Sequence, residues 1–313
     1  MGVPIHATEE CPPLTLEVGQ LPLRAIDYRL PVASAQVKSC LLLAALAAQG
    51  SSILSEPGPS RDHTERMLSN LGVDVVCRQV MEDGRLSYQT RVNPPRPLEL
   101  KAQDLSLPGD ISSAAFLIVG ALITPGSEIV LQDVLLNPTR TGLIDALRAM
   151  GAEIEVQWNG ERHGEPVGNL TARYSALSGT RVSGSLVVRM IDEFPAFAIA
   201  AAYARGLTSV DQAEELRHKE SDRIGALISE LQTLGAEAAE TPDGFSISGG
   251  RGLRGGEVHS HGDHRLAMAL AVAGLGAKEA VVVHEAEVIQ ESFPGFATLL
   301  RSLGAQVQGG EER

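Results

Sequence analysis

The sequence predicts an α/β protein assembled from repeated βαβαββ-like units, and three observations predict it. A hydrophobic–Gly–small signature recurs at Leu71-Gly72-Val73, Met150-Gly151-Ala152, Leu234-Gly235-Ala236 and Leu303-Gly304-Ala305, at intervals of roughly 70 to 85 residues. Each signature closes the same succession: an apolar helical run, a glycine, a short β-patterned stretch and an amphipathic helical run. The composition suits helix–sheet packing. Of 313 residues, 43% are hydrophobic, only 4% are aromatic and 21% are charged.

Taken in order, Met1-Gly2-Val3 repeats the signature at the start of the chain. It reads as the tail of a unit whose body is absent, and an unfinished unit leaves a neighbour's face uncovered. Four apolar runs follow, at Ala33–Ala48, Ser112–Ile123, Ala196–Ala204 and Arg265–Leu275. Each is apolar on nearly all sides, which predicts buried helices with Cys40 in the core. Gly50, Gly126, Gly206 and Gly276 are placed to stop them. Ser51–Leu54, Glu128–Leu131, Leu207–Val210 and Ala280–His284 are β-patterned. The second helices are amphipathic. Ile224, Leu227, Ile228, Leu231 and Leu234 fall at helical spacing, as do Leu143, Ile144, Leu147 and Met150. Ile154-Glu155-Val156 and Leu170–Arg173 alternate as strands do. Leu105–Gly109 is the expected boundary, with residues 1–104 a partial N-terminal domain and 105–313 a domain of three units.

Composition narrows the partners. A net charge of −13 and scarce aromatics argue against nucleic acid and anionic membranes, which want clustered cations and stacking platforms. The apolar runs Cys40–Ala48 and Ala114–Ile123 are far shorter than the ~20 residues of a membrane span. Three separated cysteines form no CxxC pair or disulfide framework, which makes the reducing cytoplasm the default location.

The polar candidates gather where helices begin, at Ser34-Ala35-Gln36, Asp110–Ser113, Asp192-Glu193 and Asp263-His264-Arg265. Such ends present unpaired N–H groups that take phosphate or carboxylate. Taken singly, each is as well explained by capping. Arg217–Arg223 is the densest charged run. Read as a helix, it sets Lys219 and Arg223 on one face with Glu220 beside Arg223, which suits either a solvated surface or a site. Ser60–Arg66 carries the same ambiguity. His259–His264 lacks a partner segment for a zinc site. Gly250–Gly255 fits GxGxxG formally but opens no helix, so it reads as a loop.

Together these residues resemble 5-enolpyruvylshikimate-3-phosphate synthases. The resemblance rests on Leu30–Ser39, Ser60–Glu65, Asn137–Gly142, Met190–Pro195, Leu216–Arg223 and Gly262–Arg265, in order over nearly the whole chain. Ala35 and Arg61 resemble the class II form associated with glyphosate tolerance. The resemblance implies an inside-out α/β barrel fold, with two domains that close at a hinge. It implies transfer of the enolpyruvyl group of phosphoenolpyruvate to the 5-hydroxyl of shikimate 3-phosphate, with no metal or organic cofactor. By motif, Ser34, Ala35, Gln36 and Arg61 would hold shikimate 3-phosphate, and Gln36 would also reach phosphoenolpyruvate. Asp192 would take the hydroxyl proton with Lys219 beside it, and Glu220 would handle the methylene proton. Arg223 and Arg265 would grip phosphoenolpyruvate. The family's N-terminal Lys-Ser…Arg motif, glycine-rich turn and further arginine have no match here. Glu291 stands where some relatives have lysine. The expectation is therefore either an active transferase or a piece that self-associates or needs an N-terminal fragment. Two further alternatives are the related transferase acting on a UDP-N-acetyl sugar and a cyclase of RNA ends, the latter disfavoured by the negative charge.

Overall fold

The computed structural model describes residues 1–8, 11–17, 22–82 and 84–309. The chain is α/β and divides into two compact units. Unit 1 is Met1–Leu107 with Glu161–Glu165, and unit 2 is Pro108–Gly160 with Pro166–Arg313. None of the described helices is long and apolar enough to cross a membrane.

Unit 1 begins with a hairpin of β1 (Ile5–Thr8) and β2 (Cys11–Leu16). Next come β3 (Leu23–Arg24), β4 (Asp27–Arg29), α1 (Ala35–Ala45), β5 (Ala48–Gln49), β6 (Ser52–Glu56), α2 (His63–Asn70), β7 (Asp74–Glu82) and β8 (Arg85–Asn93). β4 runs parallel to β6, and β6, β8 and β7 continue antiparallel, giving the order β4-β6-β8-β7. Leu42, Ala45, Leu54, Leu68 and Val92 form a small core where the two helices meet this sheet.

Unit 2 contains α3 (Ile111–Ile123), β9 (Glu128–Leu135), α4 (Gly142–Ala149), β10 (Glu153–Arg162), β11 (Glu165–Arg173), β12 (Arg181–Val182), α5 (Ser185–Arg189) and α6 (Phe194–Tyr203). It continues with β13 (Gly206–Val210), α7 (Arg223–Thr233), β14 (Glu237–Thr241), β15 (Gly244–Gly249), β16 (Gly256–His259), α8 (His264–Ala273), β17 (Val281–His284) and α9 (Phe296–Ser302). Its sheets are ordered β10-β11-β9, β12-β13-β15-β14 and β16-β17. α3, α6 and α8 pack on one another at the centre, and the sheets and amphipathic helices surround them. Phe194 meets Phe197 and Phe245 edge-on, with ring centroids 6.2 and 6.1 Å apart. Burying such a ring stabilises by about 1.5–3 kcal/mol.

The recurring signatures turn out to be helix ends. After α2, α4, α7 and α9 the chain turns through Gly72, Gly151, Gly235 and Gly304, with φ between +86° and +97°. At each, the next residue's N–H returns to a carbonyl five residues back: Val73 to Leu68, Ala152 to Leu147, Ala236 to Leu231 and Ala305 to Leu300. This is the Schellman arrangement, which needs a left-handed residue and therefore favours glycine. Gly2 shares the conformation, at φ +86°.

Several expectations need correction. α3 and α6 are buried nearly all round, but α1 buries only Lys38, Leu42 and Ala45. It packs by one face, and Val37, Leu43 and Cys40 are exposed, so Cys40 is not a core residue. Gly276 is not left-handed. A Cβ there would lie 2.7 Å from the Tyr203 ring, so the small residue serves close packing. The run before α7 is not one helix. A 3-10 turn covers Glu214–His218, Lys219 is extended, and α7 starts at Arg223 with Asp222 as N-cap. The Asp222 side chain accepts the Gly225 N–H at 3.1 Å, which ends any continuous helix there. Lys219 and Arg223 therefore share no helical face.

Candidate active site

In unit 2, three helix starts bring the polar candidates together. Asp192 lies two residues before α6, Arg223 opens α7, and Arg265 is the second residue of α8. Arg223 is the hub, with its side chain 2% exposed. Its Nε donates to Asp263 Oδ2 at 2.7 Å, and its Nη2 donates to Glu220 Oε2 at 2.5 Å. Its Nη1 lies 3.5 Å from Asp192 Oδ1. Arg265 approaches Asp192 from the other side, with Nη2 3.8 Å from Oδ2 and Nη1 donating to the backbone oxygen at 3.3 Å.

Asp263 organises this cluster. Fully buried, it caps α8 by accepting the N–H groups of Arg265 and Leu266. Its other oxygen accepts from Arg223 Nε and from Ser221 Oγ at 3.3 Å. Burial alone would raise the pKa of this carboxyl. The hydrogen bond and charge of Arg223, with the two backbone N–H groups, outweigh burial and hold it below its usual range. One carboxylate thus orients both arginines, Arg223 through its guanidinium and Arg265 through its place in the first helical turn.

Two donors are left over. Arg223 Nη1 and Arg265 Nε are buried and have no hydrogen-bond partner among the described residues. A buried N–H without an acceptor costs about 1–3 kcal/mol, and an anion would supply the acceptor.

The segment carrying Asp192 is anchored from behind. Its neighbour Glu193 is buried and accepts a hydrogen bond from the Ser112 hydroxyl at the start of α3. Arg140 Nη2 donates to Ser112 Oγ at 2.7 Å and pairs with Asp110 at 3.2 Å. The Asp110–Ser113 and Asn137–Gly142 segments thus support the site from below.

Asp192, Glu220, Arg223 and Arg265 therefore form one cluster within unit 2. Lys219 does not join them, because its ammonium pairs with Glu215 at 2.5 Å. Ser34, Ala35, Gln36 and Arg61 belong to unit 1. Ser34 caps α1 by accepting the Val37 N–H at 3.4 Å, Gln36 is exposed in the first turn, and Arg61 is half-buried just before α2. Sequence reasoning missed the second task of Asp263, and it missed a buried group in unit 1 altogether. Lys38 Nζ lies 2.7 Å from Glu56 Oε1 and 2.8 Å from Glu65 Oε1, with all three side chains buried. The available signal was a lysine within an otherwise apolar helical run.

Comparison with known proteins shows the family. Residues 1–300 match the family model described as EPSP synthase (3-phosphoshikimate 1-carboxyvinyltransferase). The chain belongs to the EPSP synthase family. A 3-phosphoshikimate 1-carboxyvinyltransferase from Desulforudis audaxviator is 53% identical over 281 residues, which is 90% of this chain and 63% of that relative. The namesake from Methylococcus capsulatus is 48% identical over 309 residues, or 98% of this chain and 68% of its own length. An EPSP synthase structure from Acinetobacter baumannii superposes with a TM-score of 0.83 at 41% identity, covering 97% of this chain and 68% of that one. The chain therefore spans about two thirds of the length of the family members it matches.

Proposed function

We propose that this chain carries the enolpyruvyl-transfer chemistry of its family. The enolpyruvyl group of phosphoenolpyruvate moves to the 5-hydroxyl of shikimate 3-phosphate, and phosphate is released. The observation that carries this reading is the pair of arginines flanking Asp192, each holding a buried N–H that makes no hydrogen bond among the described residues. Guanidinium groups suit the carboxylate and phosphate of phosphoenolpyruvate, and Arg223 and Arg265 take that role here.

The chemistry is addition followed by elimination. Asp192 accepts the proton of the attacking 5-hydroxyl, and Lys219 serves the same oxygen once its ammonium leaves Glu215. Glu220 delivers a proton to the methylene carbon of phosphoenolpyruvate. The C–O bond forms as the double bond is protonated, giving a tetrahedral ketal. Glu220 then takes a methyl proton back as the C–O bond to phosphate breaks, which restores the double bond as an enol ether, and the proton held by Asp192 leaves with the phosphate. General acid–base groups placed at the reacting atoms contribute typically 10²–10⁴-fold each. Ser34, Ala35, Gln36 and Arg61 hold shikimate 3-phosphate, and Gln36 also touches phosphoenolpyruvate. Residues 105–313 act as three βαβαββ units and 1–104 as about one, in the inside-out barrel arrangement. No cofactor takes part, and the setting is the cytoplasm.

A second reading is favoured by one observation, the exposure of Val37 and Leu43 on α1. In that reading the chain turns over only with a second copy or an N-terminal fragment. Phosphate release measured on the chain alone, and again with the N-terminal third of a relative added, separates the two. Turnover alone at a rate unchanged by the addition supports the first. Turnover only on mixing supports the second. No turnover in either arm, with no binding of shikimate 3-phosphate by calorimetry, overturns both.

A further inference from the structure

We propose that the buried Lys38–Glu56–Glu65 group is the positioning device that holds the α1 end (Ser34–Gln36) and the Ser60-Arg61 loop of unit 1 in one fixed arrangement, ready for a phosphorylated hydroxy acid. The inference deepens the proposed function and rests on its assignment of Ser34, Gln36 and Arg61 to shikimate 3-phosphate. It concerns residues that lie behind those contacts and touch no substrate.

The group links three elements. Lys38 sits one turn into α1, and its backbone N–H donates to Ser34, the cap. Its ammonium reaches Glu56 at the end of β6 and Glu65 in the first turn of α2. Glu56 then grips the loop between them. Its Oε2 accepts from the Ser60 hydroxyl at 2.6 Å and its Oε1 from the Ser60 N–H at 3.4 Å. Arg61 is the next residue. A second tie joins the helices directly, from the Ser39 hydroxyl to that of Thr64 at 2.7 Å. The floor is polar as well. Thr90 on β8 donates to Glu65 at 3.5 Å, and Ser87 to the Glu56 carbonyl at 3.3 Å.

Stability alone does not account for such a group. Replacing a buried ion pair by apolar side chains of similar volume is often neutral or stabilising, so the pairing contributes geometry more than net free energy. Geometry is what an anion cradle needs. Misplacing a contact by about 1 Å can cost a hundredfold in catalysis, and a preordered site avoids the cost of ordering on binding. Both carboxylates are buried, away from solvent, where an exposed one would repel an approaching phosphate. Both are turned inward onto Lys38.

The test uses the full chain and calorimetry with shikimate 3-phosphate, well below the melting temperature. Ser60→Ala removes the shorter of the two links from the group to the Arg61 loop, leaving only the 3.4 Å backbone N–H contact, without altering buried charge. The dissociation constant is expected to rise roughly three- to tenfold, and by about tenfold or more in Lys38→Met. Hydrogen exchange across residues 57–62 is expected to speed up in both. Leu68→Ala, a core truncation in α2 outside the group, lowers stability and leaves affinity within about twofold of wild type. If Lys38→Met does not fold, Ser60→Ala and Glu56→Gln carry the test. Wild-type affinity in Ser60→Ala and Glu56→Gln, alongside lost affinity in Arg61→Ala, overturns the positioning role and leaves the site assignment standing. Affinity that falls equally in Leu68→Ala overturns it too. No binding by the wild-type chain, or full binding by Arg61→Ala, overturns the assignment and the inference together.

Discussion

Each unit buries a cation among carboxylates, and the two arrangements differ in what they leave open. In unit 1, Lys38 serves two glutamates, and every member is nearly inaccessible. One positive charge cannot satisfy both. Burial pushes the Glu65 carboxyl up despite the nearby ammonium, and Glu65 Oε2 is buried with no hydrogen-bond partner among the described residues. Burial also acts to lower the Lys38 pKa, but the two carboxylates outweigh it and raise it. In unit 2, Arg223 meets one wholly buried carboxylate, Asp263, and two others within reach of solvent, Asp192 and Glu220. Backbone N–H groups at the start of α8 complete Asp263 and leave Arg223 with a donor to spare. The first cluster is closed and can only hold its surroundings still. The second is half open and can exchange a carboxylate partner for a ligand.

The largest expected effect comes from removing either cation. Arg223→Met strands Asp263, and Lys38→Met strands two glutamates. Each should cost about 3–5 kcal/mol in urea unfolding. The comparison predicts that only the loss of Arg223 abolishes phosphoenolpyruvate binding, so equal losses in calorimetry would break it.

Neutralising a whole cluster is the sharper test. Lys38→Met combined with Glu56→Gln and Glu65→Gln should recover at least about 2 kcal/mol relative to Lys38→Met alone, because no buried charge is left unpaired. Arg223→Met with Asp263→Asn should regain stability without regaining ligand. A triple variant no more stable than Lys38→Met would show that the unit 1 group is not a closed charge set.

Acid should also separate the clusters. Asp263 has a depressed folded pKa, so its contribution is present above the unfolded value of 3.8 and is lost as pH falls through the folded value. Glu65 has a raised folded pKa, so its share has the opposite sign. It is full below 4.5 and fades as pH rises through the folded value. Urea midpoints taken from pH 7 to pH 3 should fall less steeply at the acid end in Asp263→Asn, and should gain less between neutrality and pH 4.5 in Glu65→Gln. Unchanged slopes in both variants would remove the electrostatic distinction drawn here.

The smallest effect belongs to Lys219. Its pair with Glu215 is partly exposed, so Lys219→Met should change stability by no more than about 0.5 kcal/mol. A fall in turnover at unchanged midpoint would place its role in the reaction, whereas a stability loss above 1 kcal/mol would mark it as structural.

Local features were legible in the sequence and long-range ones were not. The amphipathic helices could be read because their apolar residues repeat at helical spacing, and their ends because Gly72, Gly151, Gly235 and Gly304 each meet a backbone requirement that other residues meet poorly. Arg223, Glu220 and Asp192 stand out through the motifs around them, Leu216–Arg223 and Met190–Pro195. A continuous helix would set Lys219 and Arg223 on one face, but Ser221-Asp222 is itself a start signal and Asp222 caps α7. The apolar run Cys40–Ala48 predicts an α1 buried all round, but composition does not say how many faces find a neighbour. The bond from Arg223 to Asp263 joins residues 40 apart, and the bonds from Lys38 bring together β6, α1 and α2. No periodicity reports such pairings.

The double duty of Asp263 makes α8 a gauge. An anion that draws Arg223 off this carboxylate would leave it held by the Ser221 hydroxyl and by the amides of Arg265 and Leu266, which already share its other oxygen. Those two amide protons lie at the mouth of a helix whose body is core, so nitrogen-15 chemical shifts at 265 and 266 should register occupancy before any product forms.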